Sequence, residues 1–321
     1  MIVVAGEALI DLVPQAGGTD GSGGRGASGG DGDGGGGLPA LAPRLGGGPY
    51  NTAVAVGRLG SPVAFCSRVS RDAFGEALLG GLARAGVDVS YVQRGAEPTT
   101  LAVASIDANG SAGYAFYVEG TADRLFSLPD RLPAGTRAVS FGTCSLVLEP
   151  GASAYEELMR VAAAEGVFTA LDPNIRAGLI PDPDAYRARF KGWLPSTGLL
   201  KLSEDDAEWL GGTPEEWLAS GPAAVVMTRG GAGLTVSTRG SARYDVPGEP
   251  VDVVDTIGAG DTVNAALLHG LAAWDALSVE AVAGLGADAW HRLLRFAARA
   301  AAVTCSRAGA EPPYMTELPP L

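Results

Sequence analysis

What most constrains this chain is a repeated alternation of two hydrophobic patterns. Short runs that are apolar at nearly every position lie at 2–5, 63–66, 138–141, 167–171, 199–202 and 224–227. Between them, at 51–59, 74–85, 155–164 and 205–210, apolar residues recur at helical spacing. A strand that is apolar throughout has no face for water and must be covered on both sides, and the intervening helices supply that cover. The pattern therefore predicts an α/β fold, doubly wound, with a mainly parallel sheet flanked by helices. With 321 residues, nearly half of them hydrophobic, the chain is long enough for a single such domain over 1–321.

Two stretches break this rhythm. Residues 101–107 and 113–118 alternate apolar with small or polar residues around Asn109-Gly110, the strongest short hairpin signal. A hairpin between α/β units projects from the main sheet, either as a lid beside a ligand cleft or as a surface flap. Residues 17–37 are almost entirely Gly, Ser and Asp. Such a run buries too little apolar surface to offset its backbone entropy and reads as a flexible, solvated loop. It contains no lysine, which excludes the phosphate loop GxxxxGK[ST].

A net charge of −13 argues against nucleic acid as a partner, because binding a phosphate backbone needs a basic face. No apolar stretch approaches the ~20 residues of a membrane span. The opening MIVVAGE has no basic start and reaches Glu7 after a short apolar run; it reads as a first strand, not an export signal. Cys66, Cys144 and Cys305 form no CxxC pair and read as reduced thiols of a cytoplasmic protein. His269 and His291 are too few for a histidine-rich metal site.

Chemistry concentrates in DTIGAGDT at 255–262, after an apolar stretch at 251–254 that reads as a strand and before a helix over 262–274. Gly258, Ala259 and Gly260 let the backbone approach a ligand and align successive N–H groups. With the helix dipole they form an anion cradle. Asp261, in the first turn, would repel a permanent anion but suits a transient one. The amides would receive charge on a phosphoryl group in flight while Asp261 takes a proton from the attacking hydroxyl. Taken alone, the segment suits a plain helix N-cap at Asp261 equally well.

DTIGAGD resembles the C-terminal signature DTxGAGD of the ribokinase-like (PfkB) carbohydrate kinases. GEALID at 6–11, GGGPYNTA at 46–53, DPNIR at 172–176, TRGGAG at 228–233 and CSRAGA at 305–310 resemble further family elements in the family's order. The resemblance implies ATP-dependent phosphorylation of a sugar hydroxyl, with Asp261 as general base and the backbone of Gly258, Ala259 and Gly260 as anion hole. It implies sugar contacts from Asp11, Gly47, Gly48, Asn51 and Arg176. Nucleotide contacts would come from Ser203, Thr228, Gly230, Gly233, Gly258 and Gly260. A small β lid is implied near 11–16, 38–45 and 98–119, with a homodimer through lid strands, or a monomer if the lid is thin.

SEDD at 203–206 stands where many relatives carry NxxE. Asp206 keeps a carboxylate that could support Mg²⁺ indirectly, although a serine N-cap with an acidic first turn explains the same residues. Asp255 matches a position that in many relatives helps hold a monovalent cation, which would be K⁺. Within the family the chain looks most like fructokinases, through GEALIDLVP at 6–14, KLSED at 201–205, and FY at 116–117 followed by GTAD at 120–123. The alternative acceptors are 2-keto-3-deoxygluconate, for which Arg176 is suited, ribose or a nucleoside. A non-catalytic sugar-binding regulator is the third reading, motivated by the altered 203–206 element.

Overall fold

The computed structural model describes residues 1–14, 40–106, 112–240 and 242–321. Thirteen strands are described: β1 Ile2–Ala5, β2 Leu9–Pro14, β3 Leu41–Gly46, β4 Val63–Ser70, β5 Val92–Gly95, β6 Leu101–Ile106, β7 Ala112–Tyr117, β8 Ala138–Gly142, β9 Phe168–Asp172, β10 Leu199–Ser203, β11 Ala224–Thr228, β12 Leu234–Thr238 and β13 Arg243–Val246. The helices are α1 Gly48–Arg58, α2 Ala73–Arg84, α3 Gly151–Ala164, α4 Pro183–Trp193, α5 Glu204–Leu210, α6 Pro214–Ser220, α7 Ala259–Ala273, α8 Val279–Ala283 and α9 Ala287–Cys305.

Nine strands form the main sheet, in the order β13-β12-β11-β10-β9-β8-β1-β4-β5. It is parallel from β11 to β5, and only the pairings of β12 with β11 and with β13 are antiparallel. The doubly wound sheet expected from the apolar runs is thus observed. Along β1, Ile2 and Val4 pack into one core with α1, α7 and α9, while Val3 and Ala5 pack into the other with α3 and α4. All four β1 side chains are at most 1% exposed, and each buried Val or Ile is worth about 1.5–3 kcal/mol relative to exposure. This two-sided burial is why the run alternates no polar residues.

From β1 the chain first builds outward through β4 and β5, then returns to build β8 to β11 on the other side. The reversal opens a crevice beyond the carboxyl ends of β1 and β8, the usual ligand position in such sheets.

A second sheet, β3-β2-β6-β7, is smaller. β6 and β7 are the expected antiparallel hairpin, in register from Leu101↔Tyr117 to Ile106↔Ala112. Its Asn109-Gly110 turn and the 17–37 run lie outside the described residues. The starts of β2 and β6, which pair in parallel, are tied to the main body by buried polar groups. Glu7, between β1 and β2, accepts from Ser145 N at 3.0 Å and from the Ser145 hydroxyl. Thr100, just before β6, donates to Asp123 Oδ1 at 2.5 Å.

One expectation fails. Residues 251–254 form no strand; Val253 and Val254 are each 62% exposed, and Val254 N donates to Cys305 O at the end of α9. The segment crosses a helix end instead of joining a sheet, so Val251 and Val253 line a cavity and not a core. In addition, α7 begins at Ala259, three residues before the expected start.

Candidate active site

Two cavities open at the carboxyl end of the sheet. The first, about 660 Å³, is lined by Asp11, Asn51, Arg176, Asp255 and Asp261, with Tyr114 and Phe116 of β7 on its outer side. The second, about 230 Å³ and largely apolar, lies between the turn after β11, the 251–256 segment and the small-residue face of α9 at Ala298, Ala301 and Ala302. Thr256 and Gly260 line both. The two cavities therefore meet at the first turn of α7.

That turn is built by conformation. Gly258 caps α7 at φ 77°, a left-handed value that favours glycine. A Cβ there would also lie 2.6 Å from the Ala310 Cβ. Gly258→Ala should therefore tilt the start of α7, with turnover down at least tenfold and melting temperature lowered by several degrees, measured side by side on the purified protein. Because Gly258 is the cap, Asp261 is the third helical residue and its carboxylate is free to point into the first cavity. The N-cap alternative for Asp261 is thereby removed.

Asp261 is 7% exposed and accepts a hydrogen bond from Asn51 Nδ2 at 2.9 Å. Burial pushes its carboxyl up to about 7; Asn51 opposes the shift, the Asp172 charge adds to it, and Lys201 and Arg176 oppose it. Such a group is poised to accept a proton near neutral pH. Asp11, on β2, is pushed up to about 6 by burial against the pull of Arg176. Arg176 Nη1 donates to the Asn174 carbonyl, Asn174 Oδ1 and the Ile175 carbonyl, and it forms no ion pair among the described residues. Beneath the turn, Lys201 Nζ donates to Asp172 Oδ2 at 2.8 Å, with both side chains about 5% exposed. A Cβ on Gly260 would lie 3.0 Å from that ammonium.

The sequence matches the family model "pfkB family carbohydrate kinase" over residues 1–317. This chain belongs to the pfkB family of carbohydrate kinases. It is similar to a fructokinase of Rhizobium leguminosarum bv. trifolii, 38% identical over 297 residues, covering 90% of this chain and 85% of that one. A fructokinase of Klebsiella pneumoniae is 34% identical, covering 85% and 84%. Among solved structures, a fructokinase from Xylella fastidiosa with bound ATP superposes with a TM-score of 0.82 at 27% identity, covering 99% of this chain and 94% of that one.

For a pfkB kinase the expected residues fall into two groups that share Gly260, with two residues left outside both. Asp11, Gly47, Gly48, Asn51, Arg176, Asp255, Gly258, Gly260 and Asp261 line the first cavity. Thr228, Gly230, Gly233, Ala259 and Gly260 line the second. Ser203 and Asp206 line neither. They form the capping box of α5: Asp206 Oδ2 accepts from Ser203 N and Oγ, and Oδ1 accepts from Ile175 N at 2.7 Å. Both carboxylate oxygens are committed, so Asp206 orders the loop that carries Arg176. Asp255 is likewise engaged, by Ile257 N at 3.0 Å and Gly309 N at 2.8 Å.

Sequence reasoning missed Glu7, Thr143, Cys144 and Asn174, which also line the first cavity, and the Lys201–Asp172 pair. Asn174 and Asp172 lie inside DPNIR and carried a usable signal. So did Lys201, one of only two lysines in the chain and set within an apolar run. Thr143 announced nothing, since its left-handed φ of 60° is a property of the folded turn after β8.

Proposed function

We propose that this pfkB kinase transfers the γ-phosphoryl group of ATP to a hydroxyl of fructose. The observation that carries the reading is the meeting of the two cavities at Thr256 and Gly260, beside Asp261. An acceptor in the polar cavity and a nucleotide base in the apolar one bring hydroxyl and γ-phosphate together over one carboxylate. The names of the relatives support fructose as the acceptor and ATP as the donor.

In the reaction the hydroxyl proton passes to Asp261, the sugar oxygen bonds the γ-phosphorus, and the bond to the bridging oxygen breaks with its electron pair leaving on ADP. Amides at the start of α7 receive the charge that grows on the transferring group. Asp11 and Asn51 bond sugar hydroxyls, Gly47 and Gly48 allow close approach, and Arg176 adds donors on the opposite wall. Thr228, Gly230 and Gly233 border the nucleotide. β2, β3, β6 and β7 act as a lid that excludes water and limits ATP hydrolysis.

No group of three or more His, Cys, Asp or Glu that could cage a metal occurs among the described residues. That donor set fits Mg²⁺ carried mainly by the triphosphate and water, which would neutralise phosphate charge, with Asp206 contributing only at a distance. K⁺ beside Asp255 would be held by backbone carbonyls. No helix is long and apolar enough to cross a membrane among the described residues; a cytoplasmic enzyme, pairing through the lid edges, completes the reading.

Two measurements test it. Enzyme-coupled ADP release, run across fructose, ribose, 2-keto-3-deoxygluconate and nucleosides, should respond most strongly to fructose; no fructose signal overturns the choice of acceptor. The pH profile tests the base. Asp261 must be unprotonated to act, so kcat/KM should rise about tenfold per pH unit below 7 and level off above it. A profile flat between pH 5 and 8 contradicts the assignment.

A further inference from the structure

Beside Asp261 a small void is walled by β1, β8, β9, α1 and α7, and it shares Gly48, Thr143 and Asp261 with the first cavity. Its walls include Thr52, Ser140, Thr143, Asp172, Asp261 and Asn264. Two wall residues carry a buried oxygen that meets no protein donor, Asp172 Oδ1 and Asn264 Oδ1. Asp172 is 5% exposed and Asn264 3%, so bulk water reaches neither. A buried acceptor left without a donor costs about 1–3 kcal/mol, and more for a carboxylate. Two such atoms belong to residues that wall the same void, and one guest with two protons could serve both.

The size of the void decides what that donor is. It offers about 10 Å³ to the centre of a guest, close to the ~10–15 Å³ that one water needs and too little for two. The polar groups on its mixed wall point the same way, because a void of this size holds water only where polar partners are present. A water has two protons for the two oxygens and a lone pair for a hydroxyl. Thr143 Oγ1 accepts from Asn174 Nδ2 at 3.4 Å and Ser140 Oγ accepts from Asn264 Nδ2 at 3.1 Å, which leaves each hydroxyl proton free to donate.

We infer that the void is a binding site for one internal water, which donates to Asp172 and Asn264 and accepts from a hydroxyl of Thr143 or Ser140. Asn264 is then a positioning residue. Through the water it holds the Asp172 carboxylate turned toward Lys201, and Lys201 in turn holds its ammonium beneath Gly260 and the anion cradle. The catalytic part of this inference rests on the function proposed above, whereas the water site does not.

A crystal structure of the unaltered protein tests the site directly. The expected result is one density peak within hydrogen-bond distance of both oxygens; a void without density overturns the proposal. Soaking in rubidium distinguishes the remaining case, since an anomalous peak in the void would make the guest a cation and also overturn it. The positioning role is tested with Asn264→Leu, which removes the acceptor and the room for water. Turnover should fall about tenfold with KM for sugar and ATP within twofold, and a parallel rise in KM overturns the role. Should that variant fail to fold, Asn264→Ala enlarges the void instead, and a second peak at the vacated oxygen position is expected. Persistence of the water in a protein inactive on every sugar would sink the proposed reaction and leave the site standing.

Discussion

Asp261→Asn should lower turnover by about 10⁴-fold, the upper range for loss of a general base, and should make the folded protein more stable above pH 7. Both effects follow from one fact, the burial of this carboxylate in the first turn of α7. The amide is the same size and can still accept from Asn51, so sugar affinity, measured by calorimetry, should change only a few-fold. It cannot take a proton from the acceptor hydroxyl. The stability gain has a definite sign. A carboxyl whose folded pKa is raised to about 7 binds its proton more tightly in the folded state than in the unfolded one. It therefore costs stability as pH rises from about 4 to 7, by up to roughly 4 kcal/mol once fully ionised. The amide escapes that cost. A melting temperature for Asp261→Asn at pH 8 at or below that of the unaltered protein would contradict the burial argument, and turnover within tenfold of normal would contradict catalysis by Asp261.

The sequence carried the main sheet because two-sided burial leaves an uninterrupted apolar run, and six such runs appeared as six parallel strands. It carried the hairpin because pleated alternation and an Asn-Gly turn are local signals. Residues 251–254 misled for a related reason: valines that wall a cavity, as Val251 and Val253 do, produce the same run as valines in a sheet, and only tertiary position separates the two. Asp11, Asn51 and Asp261, which line one cavity, were readable through the motifs GEALID, GGGPYNTA and DTIGAGD that carry the family resemblance. The 203–206 segment was readable as two things, and the capping reading accounts for the bonds between Ser203 and Asp206, while the bond from Ile175 N to Asp206 Oδ1 lay beyond either reading. Glu7 was hidden for another reason. Its partner Ser145 is 138 residues away, and no local pattern announces a buried carboxylate that folding alone brings to its partner. Thr143 and the Lys201–Asp172 pair are likewise products of strand order, since β8, β9 and β10 become neighbours only once the sheet is wound.

Lys201→Met should be the most destabilising single change near the site. The lysine lies on β10, 4% exposed, and its only hydrogen-bond acceptor among the described residues is Asp172. Burial alone would lower its pKa, but the Asp172 carboxylate, helped by the charges of Asp261 and Asp206, outweighs burial and holds it above the usual lysine value. Methionine fills similar space and removes the charge, so packing loss is small and the electrostatic loss dominates. Breaking a buried pair strands the partner and costs about 3–5 kcal/mol, or on the order of 10 °C in melting temperature for a chain of this size. Asp172 would then remain protonated to higher pH, so the loss should deepen as pH rises. Adding Asp172→Asn removes the stranded charge, and the double variant should recover most of the melting temperature. Turnover should not recover with it, because the ammonium beneath Gly260 would still be missing where phosphoryl charge develops. Recovery of both quantities in the double variant would make the pair a purely structural device; recovery of stability alone separates a positioning charge from a packing one.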